Sequence, residues 1–305
     1  MNYLVSFADS RMYRSLDRLS KQAKNLNFFD KLFLVDENFL SHEFRKKFEK
    51  KLILGSKGYG YWCWKPEVIL NILNKINNDD CMIYVDAGCH LNVKGLKRLK
   101  EYFRILSESQ KGILAFQAQE PNIKNSKLKH DGRKLRNLKN YKWIKGDALD
   151  YFGFRNEESI INTEEIAGGV FLIKKKEESA SIIKEWKQII DERYDLITDE
   201  PSKSPNLAGF VENRHDQAIW TLLCLKHKVK IISSYEFWYP KKNTNKIESD
   251  WEALINFPIH AKRDKNLGFK SKLKFLFSKK KFQIKNAFSK IGIIDKPKKP
   301  NENLF

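Results

Sequence analysis

An aspartate follows directly on an apolar segment in the first third of the chain, in the run CMIYVDAG at positions 81–88. The run predicts a buried strand, and Asp86 would stand at its carboxyl end, the edge at which open α/β sheets bind ligands. Burying a carboxylate there is costly unless a cation pairs with it. A divalent metal ion together with a nucleotide diphosphate would supply that partner. The alternative is a purely structural Asp86, since many α/β proteins end a strand in Asp.

A segment rich in glycine and aromatic residues, GYGYWCWKP at positions 58–66, precedes a helical pattern. One interpretation is structural, with Trp62 or Trp64 plugging the core. The other concerns Lys65, because a cation at the start of a helix, where the helix dipole also attracts anions, suits a phosphate group.

Asp216 stands at the start of another helical pattern, in the run NRHDQAIW. Its side chain either caps the helix or is a catalytic carboxylate at the active edge of the sheet, acting as a base or as a nucleophile-like group at an anomeric carbon. Further along, the run FPIHAKRDK places His260 just ahead of Lys262 and Arg263. That combination suits a metal ion and a diphosphate.

The elements that would position these residues alternate between strands and helices, which predicts a parallel, doubly wound sheet. Strand patterns lie at 3–7, 31–35, 81–88, 112–117, 167–175 and 229–233, and helical patterns at 16–26, 67–76 (opened by Pro66), 181–190 and 215–225. Polar stretches at 121–140 and 199–210 are interpreted as loops. Ligands are therefore expected at the carboxyl ends of the strands.

Composition limits the classes of protein that fit. The 305 residues are 41% hydrophobic, enough for one large α/β domain, and 58 Lys and Arg against 38 Asp and Glu give a net charge of +20. Such a surplus predicts an anionic partner: nucleic acid, an acidic membrane surface or a phosphorylated ligand. The four cysteines (Cys63, Cys81, Cys89 and Cys224) form no CxxC pair, which favours reduced thiols over a zinc site. No signal-peptide pattern or membrane-length apolar run is found, so a cytoplasmic protein is expected.

Residues 267–305 form a basic tail distinct from the body at 1–266. Eleven lysines and one acid fall between positions 270 and 299, which is half of the net charge. Apolar residues recur there at helical spacing on one face: Phe269, Leu273, Phe277, Ile284, Phe288 and Ile291. The pattern favours an amphipathic helix on an anionic membrane surface. A solvated helix that packs on the domain is the alternative, and nucleic acid is not expected because no recognition motif accompanies the charge.

The order of five segments is more specific than any of them alone: GYGYWCWKP, YVDAGCHLN, WIKGD, EEIAGG and RHDQ. In this order they resemble a family of bacterial glycosyltransferases of capsule and lipopolysaccharide biosynthesis, over roughly residues 3–260. The resemblance implies a GT-A-like α/β fold, a single αβα sandwich with a mostly parallel central sheet that binds a sugar nucleotide at its strand ends.

The resemblance also implies roles for individual residues. Asp216 matches the catalytic carboxylate, and a divalent cation (Mn²⁺ or Mg²⁺) is implied at Asp86 and His260. The residues matched to the donor site are Asp9, Arg11, Lys65, Asp86, Ala87, Gly88 and Lys262. Those matched to the acceptor or sugar pocket are Trp143, Lys145, Asp147, Glu165, Gly168, His215 and Gln217. Two departures stand out: Asp86-Ala87-Gly88 replaces the usual Asp-x-Asp, and Glu165 replaces an expected Gln.

The expected activity is transfer of a hexose from a nucleotide sugar, a UDP-sugar in the first instance, to a saccharide or lipid-linked glycan acceptor. The expected location is the inner face of the cell membrane, with the tail as a peripheral anchor. A catalytically inactive sugar-nucleotide or glycan-binding protein is the alternative. A sugar nucleotidyltransferase is disfavoured, because no glycine-rich phosphate loop follows the first strand.

Overall fold

The structure is a computed structural model, and it describes residues 1–121, 126–242 and 248–264. The strands in this part of the chain are β1 (Asn2–Phe7), β2 (Lys31–Val35), β3 (Cys81–Val85), β4 (His90–Leu91), β5 (Ile113–Gln117), β6 (Val170–Lys174), β7 (Lys230–Ser233) and β8 (Ile259–His260). The helices are α1 (Tyr13–Leu26), α2 (His42–Lys47), α3 (Gly58–Tyr61), α4 (Trp64–Leu73), α5 (Leu96–Ser107), α6 (Asn140–Trp143), α7 (Gly146–Tyr151), α8 (Glu158–Ile161), α9 (Glu177–Glu192) and α10 (Asp216–Lys226). None of the described helices is long and apolar enough to span a membrane. The predicted tail helix lies outside the described residues.

The central sheet has six strands in the order β2-β1-β3-β6-β5-β7. Strands β1, β2 and β3 are parallel to one another, as are β5 and β7, whereas β6 is antiparallel to both of its neighbours. Five of the six strands therefore end at one edge, called here the carboxyl edge. The mostly parallel sheet is confirmed, and β6 is the exception to the doubly wound prediction.

Alternation along the strands divides the core into two layers, because successive side chains of a strand point to opposite faces. On one face, Val5 packs in a cluster with Val68 of α4 and with residues of α9 and α10. On the other, Leu4 packs with Leu19 of α1 and Leu99 of α5. The predicted αβα sandwich is confirmed, with one apolar cluster on each face of the sheet.

Two predicted boundaries move in ways that matter for the site. Helix α4 begins at Trp64, which puts Lys65 inside the helix and Pro66 at its third position, where the absent N–H would have no intrahelical partner. Strand β3 ends at Val85, because the chain turns at Asp86, whose carbonyl accepts a 2.9 Å bond from the N–H of Cys89.

The four thiols are free, as expected. Cys63, Cys89 and Cys224 are buried, and Cys81 is half-buried. Burial also raises the pKa of Cys224 well above its usual range, as expected of an unreactive core thiol.

Candidate active site

Asp86 lies at the carboxyl edge, directly after β3. Its N–H donates to the carbonyl of Gly169 at 2.8 Å, and its Oδ1 accepts a 2.8 Å bond from the hydroxyl of Tyr84. A methyl group on Gly169 would lie 2.6 Å from Asp86 Oδ2, so the glycine is needed for this approach. The Asp86 side chain is 40% exposed, which leaves it open to a ligand. Tyr84 was not predicted as a site residue, although its spacing of two puts it on the same face as Asp86.

Lys65 reaches from the first turn of α4 to the same place. Its Nζ lies 2.8 Å from Asp216 Oδ2 and 3.6 Å from Asp86 Oδ1, and it donates to the carbonyl of Gly168 at 2.9 Å. These three charged residues form an acid–lysine–acid cluster. The Lys65 side chain is only 3% exposed. Burial lowers the pKa of Lys65, but Asp216 and Asp86 outweigh that effect and raise it, so the ammonium stays charged.

Asp216 is the buried acid of the cluster, with 5% of its side chain exposed. Burial raises its pKa to about 6, against the opposing effect of Lys65 and with a further upward contribution from Asp86. The interpretation of Asp216 as a helix cap is wrong, because it is the first residue of α10 and His215 occupies the N-cap position. A carboxyl with a pKa near working pH suits acid–base chemistry.

His215 is held in a strained conformation, with φ 56° and ψ −129°, in a region that residues with a side chain rarely adopt. Its Nδ1 donates to the carbonyl of Ile197 at 2.8 Å, and its Nε2 lies 3.7 Å from Asp199 Oδ1. Burial, followed by the charge of Lys57, lowers the pKa of His215 to about 4. The ring is therefore neutral at pH 7, and strain of this kind collects at functional sites.

The glycine-rich segment forms a left-handed turn. Residues 58–62 have φ between +51° and +85°, and the turn is closed by the N–H of Trp62 donating to the carbonyl of Gly58 at 3.0 Å. A methyl group on Gly58 would lie 2.4 Å from the Trp62 ring. The turn stacks Trp62 on His215 at 5.6 Å and leads into the helix that carries Lys65. The core-plug interpretation holds for Trp64, which is buried and stacks on Phe7 at 3.9 Å.

Lys145 and Asp147 hold the loop at 199–206 and do not face an open pocket. Lys145 Nζ donates to the carbonyls of Asp195 and Glu200 at 2.6 and 3.2 Å, and the Asp147 carboxylate accepts from the N–H groups of Lys203 and Ser204 at 2.9 and 2.8 Å. Burial alone would raise the pKa of Asp147, but these donors lower it to about 2. Both side chains are buried, so their contribution to the predicted sugar pocket is support for the loop.

Gln217 and Gly168 are linked by hydrogen bonds to the acid–lysine–acid cluster. Gln217 Oε1 accepts a 3.1 Å bond from the N–H of Gly168, whose carbonyl accepts from Lys65. Glu165 lies 3.4 Å from Arg214, and Arg214 covers the ring of Trp143 at 4.0 Å. Of the predicted pocket residues, Gly168 is therefore tied to the acid–lysine–acid cluster through Lys65, and Gln217 through Gly168, whereas Glu165 and Trp143 contact Arg214.

The predicted donor-site residues after β1 and β3 are also at the carboxyl edge. Asp9 forms a two-bonded pair with Arg11, at 2.8 and 2.7 Å, so each neutralises the other. The carbonyl of Ala87 accepts a 2.7 Å bond from Arg18, and that of Gly88 accepts a 2.9 Å bond from the N–H of Asp264. The backbone after Asp86 is thereby fixed to α1 and to the end of the described chain.

The metal ion implied at Asp86 and His260 could be held by only one of the two ring nitrogens of His260, Nδ1. His260 Nε2 lies 2.9 Å from the carbonyl of Leu254, and since a carbonyl only accepts, this nitrogen carries the proton. Across residues 1–121, 126–242 and 248–264, no group of three or more His, Cys, Asp or Glu side chains could hold a metal ion. The cation beside Asp86 is Lys65. Lys262 is exposed, 5.6 Å from the ring of Trp251.

Neither a family model nor a curated protein sequence matches this chain. Among solved structures, it is similar to mouse xyloside xylosyltransferase 1 (12% identity, TM-score 0.41, covering 86% of this chain and 96% of that one). It is also similar to the galactosyltransferase LgtC in complex with donor and acceptor sugar analogues (12%, 0.41, 85% and 86%), and to a glycosyltransferase involved in glycosylation of the major capsid of PBCV-1 (9%, 0.42, 85% and 91%). These are likenesses of fold, and an activity for this chain has to be argued from its own side chains.

Proposed function

We propose that this protein is a glycosyltransferase that moves a sugar from a nucleotide-sugar donor to a saccharide acceptor. The observation that carries the proposal is the acid–lysine–acid cluster at the carboxyl edge: Lys65 Nζ lies 2.8 Å from Asp216 and 3.6 Å from Asp86. This is the edge at which open α/β sheets bind ligands. The cluster carries two carboxylates against one ammonium, so it suits the positive charge that develops at an anomeric carbon.

The two acids are suited to different tasks. Asp86 is 40% exposed and Asp216 5%, so Asp86 is the acid that a donor meets on entering the site. Asp216, whose burial raises its pKa to about 6, is ionised at pH 7 and can take a proton from an acceptor hydroxyl once the bound substrates exclude water. Lys65 pairs with both carboxylates, and its burial keeps the ammonium group in place between them.

The finer parts of the proposal come from the resemblance of the sequence segments. They are a UDP-sugar as donor, a hexose as the transferred group, and an acceptor in capsule or lipopolysaccharide biosynthesis. A peripheral position at the inner membrane face, through the tail at 267–305, remains a prediction from the sequence. Asp216 as the catalytic carboxylate also remains a prediction.

The experiment is a thermal-shift screen against UDP-, GDP-, CMP- and dTDP-sugars, with manganese or with EDTA, followed by a donor-hydrolysis assay on each sugar that binds. A ligand that binds only the folded state raises its Tm, so one nucleotide class should raise the Tm and be hydrolysed or transferred. A donor that binds without turnover in the presence of oligosaccharide acceptors would favour the inactive binding protein. If no nucleotide sugar binds, the proposal is wrong.

A further inference from the structure

Two large apolar side chains, called here the apolar pair, lie side by side on the surface between α2 and α3. They are Ile53 and Leu54, 57% and 52% exposed, whereas the residue before them, Leu52, packs against the core. The other strongly exposed apolar side chains in the described part of the chain occur singly along the sequence. Scattered apolar residues are ordinary on a protein surface, but contiguous ones rimmed by polar groups are characteristic of contact surfaces.

The backbone that carries the apolar pair is firmly held. The N–H of Ile53 donates to the carbonyl of Lys51, and the N–H of Ser56 donates to the carbonyl of Ile53, both at 2.9 Å. Phe44, within α2, and Phe48, just after it, are buried in the core. A partner would therefore meet a preformed surface, and binding would not have to order the chain first.

The rim of the apolar pair is basic. The segment 42–54 carries a net charge of +3 from five basic and two acidic side chains, all of them exposed: Arg45, Lys46, Lys47, Lys50 and Lys51 against Glu43 and Glu49. Lys47 lies 3.5 Å from Asp191, and Lys51 Nζ lies 5.2 Å from the ring of Tyr194. Within the described residues, the other three cations form no ion pair. An anionic partner is therefore favoured at this surface.

The apolar pair lies at the carboxyl edge. Gly55 follows Leu54 directly, and a methyl group on Gly55 would lie 3.2 Å from Arg11 Nη1. Arg11 in turn pairs with Asp9, two residues after the end of β1. Since β1 and β3 are parallel, the pair and its basic rim lie on the side of the sheet that carries the acid–lysine–acid cluster.

We propose that the apolar pair and the basic side chains of the segment 42–54 form a contact surface for an anionic lipid bilayer. Lysine and arginine are attracted to acidic headgroups, while aliphatic side chains enter the boundary between headgroups and acyl chains. A nucleic acid would use the cations but would leave the apolar pair in water. This surface is separate from the tail at 267–305, and lipid binding there does not depend on the proposed function. If that function holds, the contact would bring the carboxyl edge close to a lipid-linked acceptor.

The test is co-sedimentation of the full-length protein with vesicles of phosphatidylcholine, alone or mixed two to one with phosphatidylglycerol. A lipid titration gives the partition coefficient on each kind of vesicle. On the acidic vesicles, Ile53→Ser and Leu54→Ser should each lower that coefficient about tenfold, because each removes an aliphatic side chain from the acyl boundary. The matched control is Val211→Ser, since Val211 is 60% exposed but precedes an acid, Glu212. The control should partition as wild type does.

A second pair of variants tests the charge. Lys50→Gln should lower the partition coefficient about fivefold on acidic vesicles and leave it unchanged on phosphatidylcholine, because one lysine contributes roughly 1 kcal/mol near an anionic surface. The control is Lys100→Gln, which removes an exposed lysine from α5 on the other face of the sheet. It should have no effect on either kind of vesicle. Unchanged Tm values would show that all these variants fold.

The outcomes separate this surface from the tail and from the proposed activity. Wild-type partitioning of Ile53→Ser and Leu54→Ser would overturn the proposal even if the full-length protein binds lipid, because the tail alone would then hold it. Equal weakening in Val211→Ser or Lys100→Gln would also overturn it, since any exposed side chain would then serve. Hydrolysis of a soluble nucleotide sugar is an independent readout: if it is absent while the lipid variants behave as expected, the contact surface stands and the glycosyltransferase fails.

Discussion

Two charge clusters among the described residues differ in how completely their oxygen atoms are satisfied. One is the acid–lysine–acid cluster of Lys65, Asp86 and Asp216. The other joins α5 to the end of β7: Glu236, with no exposed side-chain surface, accepts bonds from Arg98 Nε and Nη2 at 2.8 and 2.7 Å. Glu236 also accepts from the hydroxyls of Tyr102 and Ser126, at 2.7 and 2.8 Å.

The two clusters differ as a structural ion pair differs from one that can bind a ligand. Around Glu236 each carboxylate oxygen is filled by protein donors, so the pair ties two elements together and has nothing left for a ligand. In the other cluster, Asp86 remains 40% exposed, and burial keeps the pKa of Asp216 raised to about 6. These two carboxylates are therefore less completely paired than Glu236, and perturbed pKa values of this kind are common at functional sites.

The largest expected effect is on activity, from removing the open acid. Asp86→Asn keeps the shape but not the charge, and it should lower kcat about 10²- to 10³-fold, the usual cost of removing one group that stabilises developing charge. Asp79→Asn is the matched control, because Asp79 lies ahead of the same strand, at its opposite end, paired with Lys174 in solvent. Steady-state kinetics should show wild-type turnover for the control. Near-normal turnover in Asp86→Asn would remove this residue from the active site.

The next effect is on stability, from breaking the satisfied cluster. Glu236→Gln removes the fully buried one of the two carboxylates that Arg98 pairs with, Glu101 being the other, and the free energy of unfolding should fall by about 3 kcal/mol. The exposed pair of Arg104 and Glu108 supplies the control, since Glu108→Gln should cost under about 1 kcal/mol. Urea unfolding measures both. A stable Glu236→Gln variant with impaired transfer would reverse the roles assigned to the two clusters.

The last effect is gradual: it is the pH dependence of stability that Asp216 contributes. Its pKa, raised by burial to about 6 from 3.8, means that the folded state holds this proton more tightly than the unfolded state. The contribution therefore stabilises the fold at acidic pH and is lost as the pH rises from about 4 to about 6. Relative to Asp216→Asn, wild-type protein should lose stability across that window by up to about 1.4 kcal/mol per pH unit.

Urea unfolding at several pH values from 4 to 7 measures that difference. Asp79→Asn again serves as the control, because its hydrogen bond with Lys174 lowers the pKa of Asp79, so any difference for this variant has the opposite sign and falls below pH 4. A flat difference between wild type and Asp216→Asn would mean that Lys65 holds Asp216 ionised throughout.

Several parts of the molecule were determined by the sequence alone. The apolar run before Asp86 predicted a buried strand, because a continuous apolar run of that length depends only on neighbouring residues. The same run placed Asp86 at the carboxyl edge. The sequence singled out the segment GYGYWCWKP, but it did not predict the left-handed course of the backbone there.

Only the tertiary structure decided which charges meet. Lys65, Asp86 and Asp216 are far apart in the chain, and their pairing depends on how α4 and α10 pack on the sheet. It also depends on β6, whose antiparallel pairing with β3 places the preceding Gly168 and Gly169 in contact with Lys65 and Asp86. The tertiary structure also decided which nitrogen of His260 carries the proton, because its Nε2 donates to the carbonyl of Leu254. Residue type and spacing predict what a side chain can do, but the free energy of a buried ion depends on its neighbours in space, and those are set by the packing of distant segments.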